Sequence, residues 1–371
     1  MKELPELDGF QAAHFLADYW SRSPCLIRGW LRPEAVELEG MLELAAVHEL
    51  PTRLVEGARE TGDWQVTHGI LGADELPAAR RDWTLLVQEM DKVDSRVAEL
   101  LDEFRFLPHW ILDDVMISEA VPGGSVGPHS DAYDVFLVQV KGQRSWELST
   151  RKDFRPDGRF ELALIADWAA ELTIETGPGD VLYLPPGIGH HGVARTACQT
   201  WSVGLRTPSG PELMFQLADA LLEDPAGNKR LQVRSIDPQQ PDRIGAELVQ
   251  QARRLLEQSL ALDDERLGRL LAAFLTRWRL WPGDELVERA AIARQLRAGH
   301  PVRLAATARL ALLGEDRLYV NGEHIDCPGP LALELSTQRC LGAEWLEQDD
   351  ALDQLLELGA IDRPRGPSVV R

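Results

Sequence analysis

His129 and Asp131 stand one residue apart in the run Gly123–Trp146, GGSVGPHSDAYDVFLVQVKGQRSW. On extended backbone, residues i and i+2 point to one face, so this imidazole and this carboxylate can converge on a single point. A further imidazole source is Pro185–Gly192, PPGIGHHG, with His190 and His191, after the strand-like run Gly179–Leu184 (GDVLYL). Two histidines and one carboxylate form the ligand set of a non-haem Fe(II) oxygenase, which keeps coordination positions open for substrate and oxygen. A structural metal site would close them. An H-x-D pair alone is a weak signal. Here Gly/Pro turns bracket both segments and an apolar strand lies beside each.

A cation follows at strand spacing. Val135–Val140 (VFLVQV) reads as a strand, Lys141–Gly142 as a turn and Arg144–Leu148 (RSWEL) as the returning strand. A planar guanidinium pairs bidentately with a carboxylate, such as the distal group of a 2-oxoacid held deep in a barrel. Arg144 is the expected partner, with Lys141 as the alternative. His48, His68 and His109 lack a carboxylate at strand spacing, so surface or supporting roles are expected for them.

The run PGGSVGPHSDAYDVFLVQVKGQRSWEL, with YLPPGIGHHG downstream, resembles the JmjC-type ribosomal oxygenases among the cupin-like 2-oxoglutarate dioxygenases. The resemblance covers the chain in length and order of parts, and its specific motifs lie between Met116 and Arg206. It implies that His129, Asp131 and His190 are iron ligands, with His190 rather than His191 fitting the family spacing P-P-G-x-x-H. It implies that Ser118 (in MISE) and Arg144 bind 2-oxoglutarate. His191 and the KGQR segment depart from the family pattern. The implied activity is Fe(II)- and 2-oxoglutarate-dependent hydroxylation of an arginine in protein sixteen of the large ribosomal subunit, yielding hydroxyarginine, succinate and CO2. Asp134, beside Tyr133, is a candidate to meet that guanidinium, with a structural hydrogen-bonding role as the other reading. The alternative function is a metal-binding cupin used for protein binding or assembly without turnover, which would not need Arg144 with Ser118. Histone-type demethylation is chemically close, but the whole-chain match and the C-terminal region argue against it.

The elements that must position these groups read as follows. Asp8–Trp20 has helical spacing, and Pro24–Gly29 is the expected first barrel strand. Leu31–Leu50 reads as helices outside the barrel, and Pro51–Val55 and Trp64–Ile70 as strands. Asp82–Ala98 reads as one amphipathic helix, and Trp110–Pro122 as a strand that carries Ser118. Asp153–Phe160 is a turn-rich insert. Leu172–Glu175 leads through the turn Gly177–Asp180 into VLYL, and Gln199–Leu205 is the expected last barrel strand. The fold class is α+β: a double-stranded β-helix (jelly-roll, cupin-like JmjC) with helical decoration.

Thr207–Pro211 changes the texture of the chain. Glu212–Leu222 and Arg243–Trp278 read as helices, the second with one apolar face, which would fold back as a bundle or pair with another chain. The resemblance implies a homodimer through this region. A third region starts at Trp281–Gly283, with helices at Leu286–Leu296, Leu331–Leu335 and Asp350–Leu358. Short strands are expected at Val302–Leu304, Arg317–Val320 and Glu323–Ile325, with Asn321–Gly322 as a hairpin turn. The expected domains are 1–207 (catalytic jelly roll), 208–280 (helical dimerisation region) and 281–371 (winged-helix-like), with a mobile tail at Asp362–Arg371.

The formal net charge is −21, from 60 acidic and 39 basic residues. That argues against a general nucleic-acid or anionic-membrane binder and is compatible with a basic ribosomal-protein partner. The four cysteines, Cys25, Cys198, Cys327 and Cys340, form no C-x-x-C pair, so neither a zinc site nor a disulfide framework is expected. The acidic, interrupted start is unlike a signal peptide, and no apolar run reaches membrane-spanning length; the expected location is cytoplasmic.

Overall fold

The computed structural model describes residues 3–58, 62–77, 82–223, 229–232, 239, 242–277 and 287–362. The chain separates into two compact units, Met1–Thr207 and Pro208–Arg371.

Among the described residues the first unit contains thirteen strands: β1 (Glu6–Asp8), β2 (Cys25–Arg28), β3 (Thr52–Ala58), β4 (Asp63–His68), β5 (Trp83–Val87), β6 (Leu112–Ala120), β7 (His129–Ser130), β8 (Asp134–Lys141), β9 (Arg144–Ser149), β10 (Leu172–Thr176), β11 (Val181–Leu184), β12 (Gly189–Ala194) and β13 (Cys198–Leu205). They form a nine-stranded sheet, β1-β2-β11-β8-β13-β6-β5-β3-β4, and a four-stranded sheet, β10-β9-β12-β7. From β6 onward the chain repeatedly crosses from one sheet to the other, which is the winding of the expected cupin-like JmjC fold. Arg144–Leu148 therefore does not return along β8; it crosses the corner at Gly142 into the opposite sheet. Likewise the GPGD turn does not continue a strand but carries the chain from β10 in the small sheet to β11 in the large one.

Alternation along the strands sets two apolar layers. Val135, Leu137, Leu182 and Leu184 of the large sheet face Trp146 and Leu148 of the small sheet, so this layer is the barrel interior. On the other side of β8, Phe136 meets Phe15 of helix α1 (Ala12–Asp18) with ring centroids 5.3 Å apart and Tyr183 of β11 at 4.9 Å. Helix α2 (Leu38–Val47) covers less of Leu31–Leu50 than its composition suggests, since 31–37 lacks regular structure.

Two sequence expectations are corrected here. Asp82–Ala98 is not one helix: β5 occupies Trp83–Val87, followed by the short helices α3 (Met90–Val93) and α4 (Ser95–Leu100). Trp83–Val87 is buried on both faces, and a short continuous apolar run matches helical spacing by chance. The second concerns Asp134. It lies on the outer side of β8 and accepts hydrogen bonds from Tyr183 Oη and from Ser21 Oγ (3.0 Å), so it pins the N-terminal segment and takes no part in the barrel interior.

The second unit holds α5 (Gly210–Glu223), α6 (Ala246–Leu260), α7 (Asp264–Thr276) and α8 (Arg289–Arg297), then β14 (Val302–Arg303), β15 (Leu310–Leu313), β16 (Arg317–Val320), β17 (Glu323–Ile325), α9 (Gly329–Gln338), β18 (Cys340–Leu341) and α10 (Asp349–Glu357). The expected helix Arg243–Trp278 is two helices, because Asp263 caps a new start by accepting from Arg266 N at 2.7 Å. Trp278, Trp281–Gly283, Leu286 and the tail beyond Asp362 lie outside the described residues. Asn321 (φ +50°) and Gly322 (φ +94°) form the two-residue turn between β16 and β17. Helices α8–α10 and the three-stranded sheet β15-β16-β17 contribute to a core that includes Ile292, Leu318, Leu335, Trp345 and Leu352. No helix among the described residues is long and apolar enough to cross a membrane.

Tyr183→Phe removes the hydroxyl that donates to Asp134 and accepts from Ser21 N (2.7 Å). Urea unfolding should show a loss of about 1.5–3 kcal/mol, the scale of one hydrogen bond to a charged group.

Candidate metal centre and active site

The structure brings His129, Asp131 and His190 together. One ligand atom from each lies within 4.8 Å of the others, the only such group of three found among the described residues. His190 Nε2 is 3.7 Å from Asp131 Oδ2, too far for a hydrogen bond but suited to two groups sharing an ion. β7 and β12 pair with His190 opposite His129, which sets the two rings 4.2 Å apart. Asp131 follows β7 directly, and its carbonyl accepts from Gly187 N at 2.8 Å. Gly187 adopts φ +77°, a left-handed conformation that glycine reaches without a side-chain penalty.

Both rings are oriented alike. His129 Nδ1 meets Gly127 O at 2.9 Å, and His190 Nδ1 meets Ile188 O at 3.1 Å. A carbonyl only accepts, so each Nδ1 carries the proton and each Nε2 keeps its lone pair for a metal. Burial depresses the His190 pKa, His129 beside it lowers it further and Asp131 opposes. The ring is therefore neutral at ordinary pH, as a ligand must be. Two imidazoles and one carboxylate suit Fe(II). The residues fit the ion.

Of the other histidines, His48 is exposed and His68 bonds Glu161 at 2.7 Å on the surface. Neither His68 nor His109 belongs to the triad. His191 points to the opposite face of β12 from His190, where its Nδ1 lies 3.4 Å from Glu147 Oε2.

Arg144 is 3% exposed, and its Nε finds no hydrogen-bond acceptor among the described residues. Its guanidinium lies 5.5 Å from the Trp146 ring and 3.7 Å from Cys198 Sγ, beside the small side chains Ala120 and Ala194. An orphaned buried guanidinium nitrogen next to small residues fits a carboxylate-bearing co-substrate. Lys141, the alternative, is exposed. Ser118 is buried on β6 and its hydroxyl donates to Thr200 O at 3.1 Å.

The sequence reading missed the floor of this cavity. Thr200 Oγ1 donates to Gln139 Oε1 (3.0 Å), Trp146 Nε1 donates to Thr176 Oγ1 (3.2 Å), and Thr176 Oγ1 reaches Arg144 O (3.2 Å). The lone glutamine in VFLVQV was its signal, since a polar residue on a fully buried strand must find partners.

Also missed was an acidic group at the other end of the interior. Asp114 shares the β6 face of Met116 and Ser118 by strand alternation. Its Oδ2 accepts from Glu89 N at 3.0 Å. Burial pushes Asp114 up to about 6, partly countered by that hydrogen bond, and pushes Glu89 up to about 7, partly countered by Lys92. Asp131 and Asp114 both act electrostatically on the half-exposed Tyr133, whose phenol burial and these charges raise.

Two measurements test this geometry. In a cobalt(II) titration, His190→Ala should weaken binding by more than about 100-fold, beyond the range of indirect effects, whereas His48→Ala should leave it unchanged. The second concerns pH. Glu89 holds its proton more tightly folded than at its ordinary value of 4.5, so its contribution to stability falls as pH rises from 4.5 to about 7. Urea unfolding of Glu89→Gln should therefore decline less over that window than the parent.

The chain matches a JmjC domain over residues 99–213. It is 32% identical over 343 residues to the ribosomal protein uL16 3-hydroxylase of Escherichia coli, spanning 89% of this chain and 90% of that one. The X-ray structure of E. coli YcfD resembles it with a TM-score of 0.81 at 28% identity, covering 95% of this chain and 98% of YcfD. A structure of the same E. coli protein, described as a ribosomal oxygenase in complex with cobalt and 2-oxoglutarate, gives 0.77 at 29% identity, covering 94% and 96%. Similarity at this level along nearly the whole of both chains makes this protein a member of the JmjC-domain ribosomal oxygenases.

Proposed function

We propose that this chain is an Fe(II)- and 2-oxoglutarate-dependent hydroxylase that acts on an arginine of a basic large-subunit ribosomal protein, in the cytoplasm and as a homodimer. The observation that carries the chemistry is the pair of Nδ1–carbonyl contacts that leave both imidazole Nε2 atoms free beside Asp131, with the buried Arg144 guanidinium, its Nε unpaired, in the same barrel. His129, Asp131 and His190 would hold the iron. Iron held there with 2-oxoglutarate would supply oxygen activation, one oxygen atom of O2 going into a substrate C–H bond and the other into succinate, with loss of CO2.

The residues of this chain do the positioning. Arg144 pairs with the distal carboxylate of 2-oxoglutarate, and the buried Ser118 hydroxyl borders the same space. The Gln139–Thr176–Thr200 network fixes the floor and holds the Arg144 backbone carbonyl in place. Leu137, Trp146, Leu148 and Leu184 keep the cavity apolar and limit water. The arginine substrate calls for an anionic, partly aromatic entrance. Asp114 beside Tyr133 supplies it, in place of Asp134.

The dimer reading rests on the 208–280 region. Met214, Phe215 and Leu222 of α5 are 63%, 70% and 70% exposed, and Leu256 and Leu260 of α6 are exposed as well. Large exposed apolar side chains of this kind suit a protein-interaction surface. The net charge of −21 favours a basic protein partner over nucleic acid.

The test is incubation of the Fe(II)-loaded protein with 2-oxoglutarate, air and a ribosomal-protein fragment, read by mass spectrometry. The expected result is one added oxygen on an arginine, lost in Asp131→Ala. Arg144→Ala should raise the half-saturating 2-oxoglutarate concentration about 10- to 100-fold, the scale of one charge-assisted contact. Succinate without a modified fragment would remove arginine as substrate. Neither product would favour a cupin that binds metal without turnover.

A further inference from the structure

The segment between β9 and β10, residues 150–171, has no part in the reading above, yet it touches both histidine-bearing strands. β7 is a two-residue strand at the edge of its sheet, paired only with β12. A two-residue ladder is a weak hold on a ligand whose position must be kept to about half an ångström.

The segment supplies the missing hold. Ile165 N donates to Pro128 O at 2.8 Å, immediately before His129. Leu164 lies so close to Gly127 that a Cβ there would stand 2.5 Å from its Cδ2, and Gly127 O is the carbonyl that fixes His129 Nδ1. On the other strand, Phe154 and Trp168 press on Gly189, immediately before His190; a Cβ at Gly189 would come within 2.5 and 2.9 Å of their rings. Trp168 Nε1 donates to Glu147 Oε2 at 2.7 Å, the same oxygen that faces His191. The segment is braced internally by Arg151 and Asp167, paired at 2.8 Å, with Asp167 Oδ1 accepting from Arg155 N.

We propose that residues 150–171 form a positioning bracket that sets the separation of His129 and His190, acting on one strand through Leu164 and on the other through Trp168. This rests on the two histidines being ligands of a divalent transition metal, as proposed above. Outer contacts of this kind orient the first ligands, and their loss weakens metal binding about 10- to 100-fold. The two contacts meet backbone where no side chain fits, so truncating Leu164 or Trp168 leaves a gap into which the glycine backbone can shift.

The test is cobalt(II) titration of the full-length protein, followed by its visible absorption, with melting of each metal-free variant alongside. Leu164→Ala and Trp168→Ala should weaken cobalt binding about 10- to 100-fold and alter the cobalt band, while the metal-free proteins still melt cooperatively. Trp168→Phe keeps a ring over Gly189 and should recover most of the affinity. Unchanged affinity and band in both alanine variants would overturn the bracket, and loss of cobalt in His190→Ala in the same series would show that the metal centre itself stands. An affinity loss that merely follows loss of cooperative melting, in Leu164→Ala and Trp168→Phe alike, would also overturn it. No cobalt binding by the parent protein would instead remove the metal-centre reading beneath it.

Discussion

An imidazole can present Nε2 to a metal only if its proton sits on Nδ1, and in this barrel two backbone carbonyls impose that choice. Gly127 O and Ile188 O each lie two residues before the histidine they orient. The same local solution therefore appears on two strands that are far apart in sequence. The rest of the first unit keeps these two turns facing each other. The large sheet forms the wall, the crossing strands carry the histidines onto the small sheet, and the apolar layer between them excludes solvent.

The two ends of that interior have opposite electrostatic character. One holds the Arg144 guanidinium over Trp146 among small residues. The other holds Asp114 and Glu89, whose carboxyls burial pushes up to about 6 and about 7. Under the proposed function, such a cavity would take an acid at the Arg144 end and a cation at the Asp114 end, with the metal triad between them. Lys92 partly offsets the acidic end, and Arg144 interacts electrostatically with Glu119.

Much of the site was legible because strand alternation is a strict rule. His129 and Asp131 share a face at i, i+2, and Arg144, Trp146 and Leu148 share the interior at the same spacing. Alternation could also have separated Asp134 from Val135 and Leu137, and could have carried Ser118 back to Asp114. What it could not show is which face is inside, since that depends on pairing with distant strands such as β11. Trp83–Val87 misled for a related reason: a strand buried on both faces loses its alternation and looks helical. The break at Asp263 was hidden because the apolar stripes of α6 and α7 happen to run on in phase, and a single capping side chain decides the boundary. The bracket contacts were least legible, because they rest on glycines whose neighbours come from elsewhere in the chain.

The pairing of β7 with β12 also constrains how the molecule is made. It joins residues far apart in sequence through two residues only, so its loop-closure entropy outweighs what it returns until β9 to β11 have already docked. The metal triad is accordingly complete only once β12 has paired with β7. A nascent chain lacking β12 presents His129 and Asp131 without His190, and so cannot hold iron firmly.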